Sequence, residues 1–174
     1  MREELDKKLV EKYPLLYRNR FGSPMETLMC WGFEHGDGWY NIINALSYLL
    51  CSEYKQKKES YESIKEYFEK DGKWPWSDGK EITAEEVEQK RLAMIEAEKT
   101  VPTVVQVKEK MGTLRFYINA GTDEHYNYIR FAEAMSSVTC EECGAPGKIR
   151  GRGWYYTACD EHTREEDLND DISE

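Results

Sequence analysis

Apolar residues recur at steps of three and four through the first part of the chain and then switch to strict alternation. In residues 2–12, Leu5, Leu9 and Val10 fall on one side of a short amphipathic helix. Tyr13-Pro14 ends it, because a residue before proline disfavours the helical region, and Pro14 opens a further turn over Leu15, Leu16 and Tyr17. The strongest stripe is Trp39, Ile42, Ile43, Leu46, Leu49 and Leu50, which predicts a core helix running to about residue 57 with Asp37 as its N-cap. Residues 59–70 continue as a charged helix striped by Tyr61, Ile64, Tyr67 and Phe68, and DGKWPWSDGK at 71–80 breaks it. Thr83 and Glu86 have the spacing of a capping box and start a helix to about residue 99, which Pro102 stops. The period then falls to two. Val105 and Val107 oppose Gln106 and Lys108, and Leu114, Phe116 and Ile118 alternate with Arg115, Tyr117 and Asn119. Gly112 between them suits the left-handed residue of a bulged hairpin turn. Thr122 caps a last helix carrying Tyr128, Phe131, Ala132, Met135 and Val138.

This order predicts an α+β fold: a mainly helical body with one β-hairpin at 1–138, a cysteine-bearing module at 139–168, and an acidic tail at 169–174. Whether 53–100 forms a separate helical insertion stays open. The 174 residues suit one domain with a small appended module. An aromatic content of 13% argues against disorder. No stretch approaches the roughly 18 consecutive apolar residues of a membrane span, and the charged start MREELDKKLVEKY lacks the apolar centre of a signal peptide, so the expectation is a soluble cytoplasmic protein.

The net charge of −10 is uneven: residues 160–174 hold eight acidic residues against Arg164. The body is nearly balanced, so overall acidity does not exclude nucleic acid. Lys148, Arg150 and Arg152, followed by Trp154 and Tyr155, interleave cations with rings, as a single-stranded nucleic-acid surface requires. Asp167, Asp170 and Asp171 among these acidic residues, with Trp74 and Trp76 in the 71–80 loop, are candidate contacts to a protein partner. The plainer readings are a solvated tail and a loop folded over the body.

The strongest chemical signal is Cys140 and Cys143, followed by Cys159 and His162. Two residues between cysteines let both sulfurs of a knuckle reach one ion, and three thiolates with one imidazole complete a tetrahedral zinc shell. Gly144 after the second cysteine lets the chain turn back under the metal. A knuckle, a hairpin and two ligands at a helix start resemble a treble-clef zinc finger over about 138–168. With four protein ligands the shell is closed, which points to structural Zn2+ rather than a catalytic ion, and a module this short is expected to unfold without it. Glu34, His35 and Asp37 put two acids and an imidazole in one turn, the weaker pattern of general acid–base chemistry, although Asp37 has a helix to cap and the neighbouring glycines have turns to make. Cys30 and Cys51 read as core residues.

Three stretches, from Tyr13-Pro14 to WGFEHGDGWY at 31–40, VVQVKEKMGTLRFYINAG at 104–121 and CEECGAPGKIRGRGWYYTACDEH at 140–162, resemble a family of small proteins encoded by bacteriophages and prophages. The resemblance implies a role in the cytoplasm of an infected bacterium and carries over no catalytic residue. The expected function is therefore a non-enzymatic, zinc-stabilised accessory protein that binds a host or phage protein and modulates or inhibits it, with the host's defence nucleases among the candidates. A nucleic-acid-binding zinc finger is the first alternative, and a small hydrolase or nuclease using 34–37 the second.

Overall fold

Helix α1 (Glu3–Lys12) opens the chain with Glu3, Glu4 and Asp6 in its first turn and Lys12 in its last, charges that suit the two ends of the helix dipole. Leu9, Tyr13, Leu16 and Tyr17 bury one continuous face across the Tyr13-Pro14 boundary. Asp6 is buried beside Arg20, whose Nε and Nη2 donate to its carboxylate while Nη1 donates to the Cys30 carbonyl. In the computed structural model of the protein, residues 1–77 and 79–167 are described. Their contacts divide the chain into two compact units, one of 1–50 with 102–174 and one of 51–101.

The first unit is built on a three-stranded sheet ordered β1-β2-β3. Strand β1 (Phe33–Glu34) runs parallel to β2 (Thr103–Lys110), which pairs antiparallel with β3 (Thr113–Asn119). The alternation in β2 departs from the expected one. The register shifts between Val104 and Gln106, so Val105 is the extra residue of a bulge, and Val104 and Val107 are the pair that is fully buried. The turn of the hairpin carries no bulge: Lys110 pairs with Thr113, and both Met111 and Gly112 have positive φ, the conformation that a two-residue hairpin turn demands.

Helix α2 (Tyr40–Leu50) buries Ile43, Leu46 and Leu50 and packs against α5 (Asp123–Ser136). It stops at Leu50, seven residues short of the expected end, because Cys51 leaves helical geometry with ψ near 2° before the next helix begins at Ser52. Helix α5 also covers the outer edge of the sheet: Ser136 Oγ accepts from Leu114 N at 2.8 Å and Glu133 Oε1 accepts from Phe116 N at 3.1 Å. These side chains satisfy β3 amides that an edge strand otherwise offers to another chain. His125, without a partner in the linear pattern, completes a capping box with Thr122. The short strands β4 (Lys148–Arg150) and β5 (Tyr156–Ala158) form a second, two-stranded sheet in the same unit.

The second unit is a pair of helices, α3 (Ser52–Lys70) and α4 (Ala84–Thr100), with Ile64, Ile82, Ala97 and Val101 buried. The expected capping box is present: Thr83 Oγ1 accepts from Glu86 N at 3.1 Å and Glu86 Oε2 accepts from Thr83 N at 2.9 Å. The Thr83→Ala variant is expected to lose about 1 kcal/mol, read as a lower midpoint for the helical signal in urea, because one amide of the first turn loses its acceptor. Among the described residues no helix is long and apolar enough to cross a membrane.

Candidate metal centre

The Cys140-Cys143 loop is a turn closed by its own backbone. Gly144 N donates to the Cys140 carbonyl at 2.9 Å and Cys140 N to the Ala145 carbonyl at 2.8 Å. Gly144, at φ +78°, turns the chain back. The β4–β5 hairpin then returns the chain, and Cys159 stands at the N-cap of a single 3-10 turn over Asp160–His162 that ends on His162. This turn replaces the helix start expected at Cys159, and a second 3-10 turn follows at Glu165–Asp167.

These elements bring one ligand atom each from Cys140, Cys143, Cys159 and His162 to within 4.8 Å of one another. The Cys143 and Cys159 sulfurs are 3.7 Å apart, and the His162 imidazole turns Nδ1 to 3.1 Å from Cys159 Sγ and 3.7 Å from Cys140 Sγ. All four sequence-predicted ligands therefore converge, and the group can hold a metal ion. Cys140 is buried, which disfavours its thiolate, but N–H groups of Cys159, Cys143 and Glu142 directed at its sulfur outweigh burial and bring its pKa down to about 7. At exposed Cys143 the Ala145 N–H favours the thiolate, yet desolvation and the neighbouring thiols of Cys140 and Cys159 push the pKa up on balance. Three thiols that repel one another as anions are the electrostatic condition that a divalent cation relieves.

The body holds the module at two places, the knuckle loop and β5. At the loop, Gly38 N donates to the Glu141 carbonyl at 2.7 Å, Gly36 N to Glu141 Oε1 at 2.9 Å, and Trp39 Nε1 to the Thr139 carbonyl at 2.8 Å. At β5, Thr157 donates through Oγ1 to the Gly112 carbonyl in the hairpin turn at 2.5 Å. Glu141 is half-buried, and its pKa is raised first by that burial and then by the charges of Glu109 and Glu142.

The 34–37 segment thus has a structural occupation. Glu34 is exposed and accepts from Gln106 Nε2. Asp37 caps no helix, contrary to expectation: its carboxylate accepts from Arg2 N at 2.7 Å and pairs with the Arg2 guanidinium, because Gly36 occupies the N-cap position of the first turn. His35 is buried between Phe33 and Trp39, with Nδ1 2.7 Å from the Gly36 carbonyl and Nε2 buried without a hydrogen-bond partner among the described residues. Burial drives its pKa down to about 4. The three side chains serve three different neighbours.

The remaining candidates are placed as follows. Arg150 is consumed locally, donating through Nε to the Ala158 carbonyl at 3.1 Å and pairing with Asp160. Lys148 and Arg152 lie exposed beside it on the hairpin. Trp154 is 72% exposed and Tyr155 40%. Asp167 is buried and accepts from the Tyr156 hydroxyl at 2.8 Å, which withdraws it from any contact surface; Asp170 and Asp171 lie outside the described residues. In the second unit Trp74 is half-buried against Trp76, which is 71% exposed and meets Tyr67 edge-on. Sequence reasoning missed Gly36, Gly38 and Trp39 as neighbours of the knuckle; a run of glycines flanking an aromatic residue was the signal available. No protein-family model, no curated protein and no solved structure matches this chain. Fold and site define it as an α+β protein with a Cys3His group able to hold a metal ion.

Proposed function

We propose that this chain is a non-enzymatic binding protein whose C-terminal module is stabilised by Zn2+ and presents Trp154 and Tyr155 to a partner protein. The observation that carries the reading is the closed Cys3His group. A tetrahedral zinc with Zn–S bonds of about 2.3 Å and a Zn–N bond of about 2.0 Å sets its sulfurs about 3.8 Å apart and its sulfur and nitrogen about 3.5 Å apart. The distances of 3.7 Å between sulfurs, and of 3.1 and 3.7 Å from sulfur to nitrogen, suit those edges. Four protein ligands leave no position for a reacting water, so the ion's role is to hold the module.

Between the two ligand pairs, the loop 151–154 exposes the Trp154 indole beside a cavity of about 290 Å3 whose charged lining is Glu109, Glu141 and Glu142 against Arg164. Rings flanked by carboxylates suit a cationic segment of a protein. The same carboxylates, with Arg150 spent on Asp160, weigh against the nucleic-acid reading. A bacterial host protein as the partner is proposed on the resemblance of 13–40, 104–121 and 140–162 to bacteriophage and prophage proteins alone.

Capture from nuclease-treated bacterial lysate tests the reading. The tagged chain should retain a discrete protein, and Trp154→Ala should lower its retention by tenfold or more, the usual loss at a buried aromatic anchor of about 2 kcal/mol. Retention that vanishes with nuclease treatment, or that Trp154→Ala leaves intact, would overturn it.

A further inference from the structure

The knuckle does not stand on its own module alone. Its backbone from 139 to 144 lies against residues 36–39, and the approach is close enough to exclude any side chain between them. A Cβ on Gly38 would overlap the Cys140 carbonyl oxygen and the Gly144 nitrogen and reach 2.7 Å from the Glu141 carbonyl oxygen, all backbone atoms that cannot swing aside. Gly38 has no positive φ, so space, not backbone conformation, demands glycine there. Three donors then pin the loop: the amides of Gly36 and Gly38 and the indole of fully buried Trp39. Their acceptors, on Thr139 and Glu141, flank Cys140.

We infer that Gly36, Gly38, Trp39 and Glu141 are positioning residues of the metal site, holding the knuckle in the conformation that presents Cys140 and Cys143 to the ion. The inference rests on the zinc reading above. Outer contacts that orient ligands raise affinity because the unliganded loop is then already arranged, and losing one typically weakens binding about 10–100-fold. The coupling is reciprocal: an ion that needs the pinned loop also protects the pins. Metal occupancy is therefore felt at Trp39, in the centre of the body, a hundred residues from the first ligand.

The experiment measures zinc affinity of the full chain by competition with a chromogenic chelator. Alongside it, hydrogen exchange is followed at the Gly38 amide and the Trp39 indole with and without metal. Glu141→Ala, which removes the acceptor for Gly36 N–H on a half-buried side chain, should bind zinc about 10–100-fold more weakly. Glu141→Gln keeps a carbonyl acceptor while dropping the charge, and should recover most of that loss. Gly38→Ala should weaken binding at least as much, and stripping the metal from the wild-type chain should speed exchange at both upstream protons. Zinc held at wild-type affinity by Glu141→Ala and Gly38→Ala would overturn the inference and leave the zinc reading standing. A Glu141→Gln variant as weak as Glu141→Ala would assign the effect to charge and overturn the positioning role. A wild-type chain that binds no zinc would overturn both.

Discussion

Removing the metal is expected to melt far more of the protein than the segment that carries its ligands. An isolated zinc-finger peptide gains about 10–16 kcal/mol from its ion, comparable to the whole stability of about 5–15 kcal/mol that a domain commands. Here the ligand loop is bonded to Gly36, Gly38 and Trp39, and β5 of the same module is bonded through Thr157 to the hairpin turn at Gly112. Its loosening therefore unseats the buried Trp39 side chain as well as the β4–β5 hairpin. A chelator should lower the Tm of the first unit by about 10 °C or more, while helices α3 and α4 keep their own mutual packing. Cys143→Ser should act in the same direction. Cys143 is exposed, so its replacement disturbs little packing and reports on the ion. Calorimetry with and without chelator, read beside hydrogen exchange along the chain, checks this. An unchanged melting curve after demonstrated metal release would refute it, and melting confined to 138–168 would restore the independent module expected from sequence.

The second large effect is a loss of stability on acidification that traces to His35. Its imidazole is buried, and burial holds its pKa near 4. In the unfolded chain the same group titrates near 6.5. The folded pKa is depressed, so the titration of this residue takes nothing from stability above pH 6.5. Between about 6.5 and 4 the unfolded chain takes up a proton that the folded chain refuses, and stability falls by up to about 3 kcal/mol. Acid also protonates the metal ligands, in the same direction. The difference between wild type and a His35→Gln variant, which cannot titrate, isolates the histidine. Urea unfolding at pH 7 and pH 4.5 should show a steeper loss for wild type. Equal slopes would mean that His35 is not held neutral.

What could be read from the sequence was what neighbours in sequence decide. Thr83 with Glu86 and the four Cys/His residues act within a few residues or within one short hairpin and stand where the pattern put them, while Gly112 keeps its left-handed conformation in a two-residue turn and not the bulged one expected. The bulge at Val105 escaped because alternation reads the same whether or not one residue is skipped; only the partner strand reveals the slip. The break at Cys51 escaped because no glycine or proline marks it. Asp37 was misplaced because a cap and an ion-pair partner look alike in sequence, and Arg2 lies 35 positions away. The basic run at 148–152 looked available for phosphate until Asp160, ten residues on, was found to pair with Arg150. Gly36 and Gly38 looked like turn residues; their need for space arises only where the knuckle arrives.

That last arrangement has a consequence in time. Strand β1 pairs in parallel with a strand some seventy residues downstream, and the bonds from 36–39 reach another thirty residues further. Contacts so distant in sequence are slow to form, because a long loop must close before any of them is gained. On the ribosome the first forty residues emerge long before their partners. They wait with Trp39 uncovered until residues 139–144 follow, and this part of the fold closes no sooner than those residues arrive.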